Sequence, residues 1–279
     1  MLAALLATSA AVLYGTADYL GGVAARRVSA LTVALFSHLT GAATVALLLL
    51  FTAGPPEAWT LARGALAGLA SGLGLALFYR AMTMGAISVT AAVTSATSAC
   101  VPAVYGVAAG ERPDALALVG VGMAVLAIVL ISKEKPGGEV PSGKGKAVLT
   151  ALAAGAGFGG FFVLIPTTPT GGLWPLLAAR GSSVTLIFLL VVLSGGVREM
   201  RPRGWALRPI VAAGTLDIAA NILFLFAKQE GMLSLVATLS SLYPVSTLLL
   251  AGVFLDERPG RIQMAGICLA LVAAIMIST

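Results

Sequence analysis

Few side chains in this sequence could do chemistry, and most of those stand inside long apolar runs. Asp217 lies near the middle of one such run, 206–228, and Asn221 follows it on the same helical face. The nearest charge along that run is Arg208, about 13 Å away at 1.5 Å per residue. Polar groups in hydrocarbon are costly and mark cavities or solute pathways. Asp217 therefore reads as a partner for a cation or as a proton carrier. It can stay ionised only beside water, a solute or a cation such as Arg180. The plainer alternative is a hydrogen-bonded packing residue between helices. Asp18 sits about one turn from the end of the first run, 2–22, with Tyr14 and Gly15 on its face. It either lines a cavity mouth or reaches interfacial water and pairs with Arg26 or Arg27. Arg180, inside run 173–194, is a candidate anion ligand or gate; snorkelling or an internal pair with Asp217 or Asp18 is the alternative. His38, its counterpart in run 30–52, is either a proton-active group or a packing histidine.

Two runs carry polar stripes beside a proline. One has Thr94, Ser95, Thr97 and Ser98 ahead of Pro102; the other has Ser240, Ser241 and Tyr243 ahead of Pro244. Proline leaves a carbonyl one turn back without its donor. Nearby hydroxyls can re-satisfy that carbonyl or face a ligand. Gly64, Gly68 and Gly72, and again Gly155 and Gly159, recur every four residues, which lets helix backbones approach closely. Aromatic candidates for a flat or cationic solute are Tyr14, Tyr79, Tyr105, Phe158, Phe161, Phe162, Trp174 and Tyr243, with Trp174 also placed as an interfacial anchor. The sequence has one His and no metal-ligand cluster, nucleotide loop or nucleophile beside a base. No enzyme, cofactor or metal is expected.

These residues must be positioned by a membrane bundle. The chain has 279 residues, 59% hydrophobic and only 10% charged, against roughly 25% charged in soluble domains. Apolar runs fall at 2–22, 30–52, 62–82, 86–108, 114–132, 147–166, 173–194, 206–228, 231–254 and 261–278. A spanning helix needs roughly 20 apolar residues, so these runs predict ten transmembrane helices and leave no loop able to hold a soluble domain. Cys100 and Cys268 lie within runs and read as reduced packing residues. No basic stretch precedes the first run, which reads as a retained helix rather than a cleaved signal. The net charge of +6 sits between runs, without interleaved aromatics, and points to topology and anionic lipid rather than nucleic acid.

The hydrophilic stretch 133–146 divides the runs five and five. It is read as a linker between repeats at 1–132 and 147–279. Residues 77–132 align with 223–278 without a gap: Gly85 meets Gly231, Ser88 meets Ser234, and Glu111-Arg112-Pro113 meets Glu257-Arg258-Pro259. Five is an odd number, so the second copy must enter from the opposite face, an inverted repeat of the kind many secondary transporters use. Of the 17 Lys and Arg, all but Arg63, Arg112, Lys228 and the in-run Arg180 fall in gaps that follow odd-numbered runs. That asymmetry places the linker in the cytoplasm and both termini outside.

Ten helices, inverted halves and the two motifs Gly85-Ala86-Ile87-Ser88 to Gly110-Glu111-Arg112-Pro113 and Gly231-Met232-Leu233-Ser234 to Asp256-Glu257-Arg258-Pro259 resemble the EamA-type branch of the drug/metabolite transporter superfamily. The resemblance implies a basket of helices around a central cavity, with the fifth and tenth peripheral. It also implies small metabolites, amino acids or drugs as cargo, often exported. Many relatives have basic cytoplasmic termini, and here this chain departs from the pattern. The expectation is an all-α integral membrane protein, monomeric, in the plasma (inner) membrane. It would work as a secondary transporter by alternating access and export zwitterionic or cationic solutes, with protons a candidate coupling ion. Import of neutral or anionic metabolites is the alternative, ahead of a channel or a non-transporting membrane protein. The expected substrate contacts are Asp217, Asn221, Tyr14, Asp18, Arg180, His38, Ser95, Ser98, Ser241 and Tyr243.

Overall fold

In hydrocarbon every backbone N–H and C=O must be satisfied within the protein, and apolar runs of this length meet that demand as helices. The computed structural model describes residues 1–51, 57–84, 87–131, 144–167, 172–196, 200, 204–254 and 260–278. Its helices are α1 (Leu2–Ala25), α2 (Ala30–Leu49), α3 (Ala58–Met84), α4 (Ile87–Ala108), α5 (Ala115–Ile131), α6 (Lys144–Leu164), α7 (Trp174–Leu193), α8 (Gly204–Glu230), α9 (Leu233–Ser240), α10 (Pro244–Phe254) and α11 (Arg261–Ser278). There are no strands among the described residues. Six stretches are long and apolar enough to cross a membrane: α2, α3, α6, α7, α8 and the segment Leu233–Phe254. Shorter apolar helices cover Val93–Ala108, Ala115–Leu130 and Arg261–Ile277.

Two details differ from the sequence expectation. The run at 231–254 is broken into α9 and α10, because Pro244 has no N–H to continue the ladder. At the other boundary, α6 begins at Lys144, inside the stretch read as linker. The rest of that linker up to residue 143, Gly85 and the Asp256–Pro259 motif lie outside the described residues.

The bundle buries a set of hydroxyls within an apolar core and turns apolar side chains outward. Ser95, Ser98, Thr94, Ser183, Thr238, Ser240, Ser241 and Thr247 are fully buried, while Leu5, Leu50, Phe51, Val104, Leu193, Val253 and Phe254 are exposed. Lipid removes the penalty for outward apolar side chains, and interior hydroxyls hydrogen-bond across and along helices. Helix α1 packs on α8 and α3 on α6. Helix α3 also meets α7, and α2 meets α8; α5 pairs with α11. Arg27, just past the end of α1, lies with its guanidinium 4.9 Å from the Trp205 ring at the start of α8, so these two ends share one face. The start of α3 and the ends of α4, α6 and α8 meet at the other.

Glycine allows the closest crossings. A Cβ on Gly64, Gly68 or Gly72 of α3 would run into Pro175, Ala179 or Ser183 of α7, so the two ladders of every fourth residue face each other. Gly155 and Gly159 of α6 sit in the same way against Thr94 and Val101 of α4. Gly68→Ala forces a methyl into the Ala179 carbonyl, an overpacking of about 1–3 kcal/mol. Its thermal unfolding in detergent should fall by several degrees. Gly181→Ala, where nothing lies within 4 Å of the added carbon, should melt like the parent.

Candidate functional site

The carboxylate that hydrocarbon disfavours most has found a cation. Arg180 of α7 donates through Nη2 to Asp217 Oδ2 of α8. Asn221, one turn on, donates through Nδ2 to the Asp217 carbonyl at 2.7 Å and to Oδ2 at 3.3 Å. The Arg180 side chain is 6% exposed and that of Asp217 25% exposed, so the pair is closed on the arginine side and open on the carboxylate side. Gly41 of α2 makes room for the guanidinium: an added Cβ would stand 3.2 Å from Arg180 Nε. Beside it, His38 Nδ1 lies 2.6 Å from Ser183 Oγ, and Ser183 donates to the Arg180 carbonyl at 3.0 Å. A hydroxyl has one proton, so with that proton on the carbonyl, His38 donates from Nδ1. The alignment that pairs Arg180 with His38 also pairs Ser183 with Gly41. Each of these two α2–α7 contacts is therefore the counterpart of the other.

The pair opens onto a cavity of about 40 Å³ lined by Tyr14, Asp18, His38, Ser71, Leu75, Phe158, Phe161, Phe162, Arg180, Asp217, Asn221 and Tyr243. At roughly 10–15 Å³ per water on this measure, it holds a few waters and no organic solute. Seven of the ten expected contact residues meet here: Asp217, Asn221, Tyr14, Asp18, Arg180, His38 and Tyr243. No residue of α5 or α11 is among them. Ser71, Leu75 and the three phenylalanines complete the wall. The phenylalanines stood among the aromatic candidates. Ser71 and Leu75 carried no signal, because a single hydroxyl on a glycine-rich helix reads as packing.

The remaining three expected contacts sit elsewhere. Ser95 donates to the Ser241 carbonyl; Ser98 lies 3.2 Å from Ser241 Oγ and donates to the Ser95 carbonyl at 3.0 Å. The break before Pro244 explains this seam. Val245 turns back to the Leu242 carbonyl at 3.1 Å, which leaves the Ser241 carbonyl to be satisfied by the Ser95 hydroxyl. Of the two roles open to these hydroxyls, the structure uses the backbone one. Asp18 likewise resolves into one of its alternatives. It lines the cavity, has no ion pair among the described residues, and Arg27 is engaged with Trp205.

A second, polar hollow of about 320 Å³ opens where α4, α6 and α8 end, between Arg63, Tyr105, Glu111, Thr167 and Lys228. Its charges hold helix ends. Lys228 Nζ donates to the carbonyls of Phe162, Val163 and Ile165 at 3.0, 3.5 and 2.7 Å, capping α6. Glu111 accepts from the N–H groups of Leu233 and Ser234 at 2.7 and 2.9 Å, capping α9. Gly106 leaves the space this carboxylate fills. The repeated Glu-Arg-Pro motif thus has, in its first copy, a structural task.

The ion pair predicts an asymmetric mutational pattern. Arg180→Met alone leaves the half-buried Asp217 carboxylate without its cation and should cost about 1–3 kcal/mol, measured by unfolding in micelles. Combining it with Asp217→Leu should restore most of that loss, since apolar replacements of a whole buried pair are close to neutral.

Comparison with known proteins agrees with this architecture. The profile of the EamA-like transporter family matches residues 1–133 and 145–279, so the chain belongs to that family. No curated protein matches it. Among 17 matching solved chains, one described only as "Crystal structure of protein" superposes with a TM-score of 0.76, covering 99% of this chain and 98% of that one at 19% identity. At that identity the likeness concerns the fold alone.

Proposed function

We propose that this member of the EamA-like transporter family is a secondary transporter that exports small organic solutes, zwitterionic or cationic, by alternating access. The observation that carries the reading is the Arg180–Asp217 pair at a small cavity between helices of both halves of the chain. A buried ion pair is weak evidence for stability, and an intramembrane one is a functional candidate by default. A solute or proton that neutralises Asp217 competes with Arg180. Occupancy then shifts the balance between cavity states, and only solute-dependent stabilisation of one state can do so. The cavity is too small for an organic solute as it stands, so loading requires the helices around it to part.

Two inverted five-helix repeats, at 1–132 and 147–279, account for the packing. Exchanging the halves turns the α1–α8 contact into the α6–α3 contact and the α3–α7 contact into the α8–α2 contact. Ser95 and Ser241 are equivalent positions in the gapless alignment, and they touch each other. A position in contact with its own counterpart lies beside a two-fold axis. The central cavity belongs between such repeats. With the linker 133–146 in the cytoplasm, both termini face outside.

Counterflow in proteoliposomes tests the transport reading: labelled solute should accumulate only against unlabelled solute inside, and saturate. Asp217→Asn keeps the shape and an acceptor for Arg180 but removes the charge. It should lower counterflow by about tenfold or more while the protein stays monodisperse. Wild-type rates in the variant would make Asp217 a packing residue. For orientation, Ser142→Cys should resist impermeant thiol reagents in intact cells, and rapid labelling would reverse the topology.

A further inference from the structure

The charges around the cavity do not balance. Asp217 is held by Arg180 and Asn221, and His38 is engaged with Ser183. Asp18, on α1 in the same lining, is 9% exposed and makes no hydrogen bond or ion pair among the described residues. One turn back on the same face, Tyr14 is 8% exposed and its hydroxyl is buried without a partner. Across from it Tyr243, 4% exposed, buries its hydroxyl too, beside the hydroxyls of Ser95 and Ser98. The two rings stand edge to face with centroids 6.5 Å apart. One carboxylate and two phenols thus line the same cavity, the Tyr14 hydroxyl without a partner among the described residues, while the paired Arg180–Asp217 contributes no net charge.

Burying unsatisfied polar groups is expensive, and an uncompensated carboxylate is the worst case. A group that carries one positive charge and several donors would satisfy all three at once. Water has two donors and no charge; a primary ammonium has three donors and the charge. The tyrosine ring faces are suited to a cation. An anion finds no equivalent place, because Arg180 is already occupied by Asp217. The charged side chains in the polar hollow are no competitor: Lys228 and Glu111 are committed to helix ends, and Arg63 lies with its guanidinium 5.9 Å from the Trp59 ring.

We propose that Asp18, Tyr14 and Tyr243 form a binding site for a primary ammonium group, either of a monoamine cation or of the ammonium end of a zwitterion. Its place in a transport cycle rests on the function proposed above, but the site does not. The carboxylate takes the charge, and the two hydroxyls accept the remaining N–H groups. Recognition is anchored at the cationic end of the solute. A carboxylate on the same solute is optional and must compete with Asp217 for Arg180.

Four probes of similar shape separate the possibilities: phenethylamine, phenylalanine, phenethyl alcohol and 3-phenylpropionate. Binding to the purified, detergent-solubilised protein is read by thermal shift and calorimetry. The amine should bind at least about tenfold tighter than the alcohol and the propionate. Phenylalanine binding with it marks shared ammonium recognition; the amine alone marks a monoamine site. Asp18→Asn should abolish the preference for the amine over the alcohol. Tyr14→Phe, which removes only the hydroxyl, should weaken the amine several-fold with no effect on the alcohol, and it remains informative if Asp18→Asn fails to fold. The proposal is overturned if the alcohol or propionate binds as well as the amine, if no amine binds, or if both variants keep full amine affinity. Amine binding lost in Asp18→Asn but with no counterflow in the parent would sink the transporter reading and leave the site standing. Saturable counterflow indifferent to Asp18→Asn and Tyr14→Phe would do the reverse.

Discussion

A carboxylate in the middle of a membrane bundle needs a countercharge, and the arrangement around Asp217 follows from that need. The guanidinium of Arg180 supplies it, and the packing of both α7 and α8 on α2 brings the two side chains together. Gly41 leaves the space for the arginine. Ser183 ties the same turn of α7 to His38. Asn221 fixes the carboxylate's orientation from below. Each of these contacts would be minor in water. In a low-dielectric interior they are connected, since loss of one partner strands the rest.

The same constraint divides labour among the polar residues. Hydroxyls near proline breaks go to the backbone, as at Ser95 and Ser98. Charges near helix ends go to the orphan groups there, as with Lys228 on α6 and Glu111 on α9. What is left facing the cavity is a small set, and within it Asp18, Tyr14 and Tyr243 are the groups whose bonding capacity the described protein leaves open. Glycine ladders on α3 and α6 then bring the walls close enough to keep the space between them small.

Much of this was legible in the sequence, for a physical reason. A charge in an apolar run is rare because it is costly, so Asp18, Arg180 and Asp217 announced themselves, and the family resemblance carried by the two motifs was borne out. Hydroxyls announce nothing comparable, because a serine in a helix can face a ligand, a neighbour or its own backbone at similar cost. Ser95, Ser98 and Ser241 were expected as cavity lining and sit at the seam, whereas Ser71, which nothing in the sequence singles out, lines the cavity. The rotation of each helix about its axis decides between these, and it is set by close packing that the apolar pattern barely encodes. The motif glutamate was similarly silent: its partner, the start of α9, is over a hundred positions away in the chain.

Under the proposed function, the cavity around Arg180 and Asp217 is reached alternately from the two sides of the membrane. Ser71→Cys, with Cys100 and Cys268 replaced by serine, puts a thiol on the cavity wall with little change in shape. Its modification by an impermeant thiol reagent, applied separately to right-side-out and inside-out vesicles, measures that access directly. Slow labelling from both sides, with solute accelerating one and slowing the other, is the predicted result. Labelling from a single side whatever the solute, or from neither, would contradict alternating access and leave the cavity a sealed feature of the bundle.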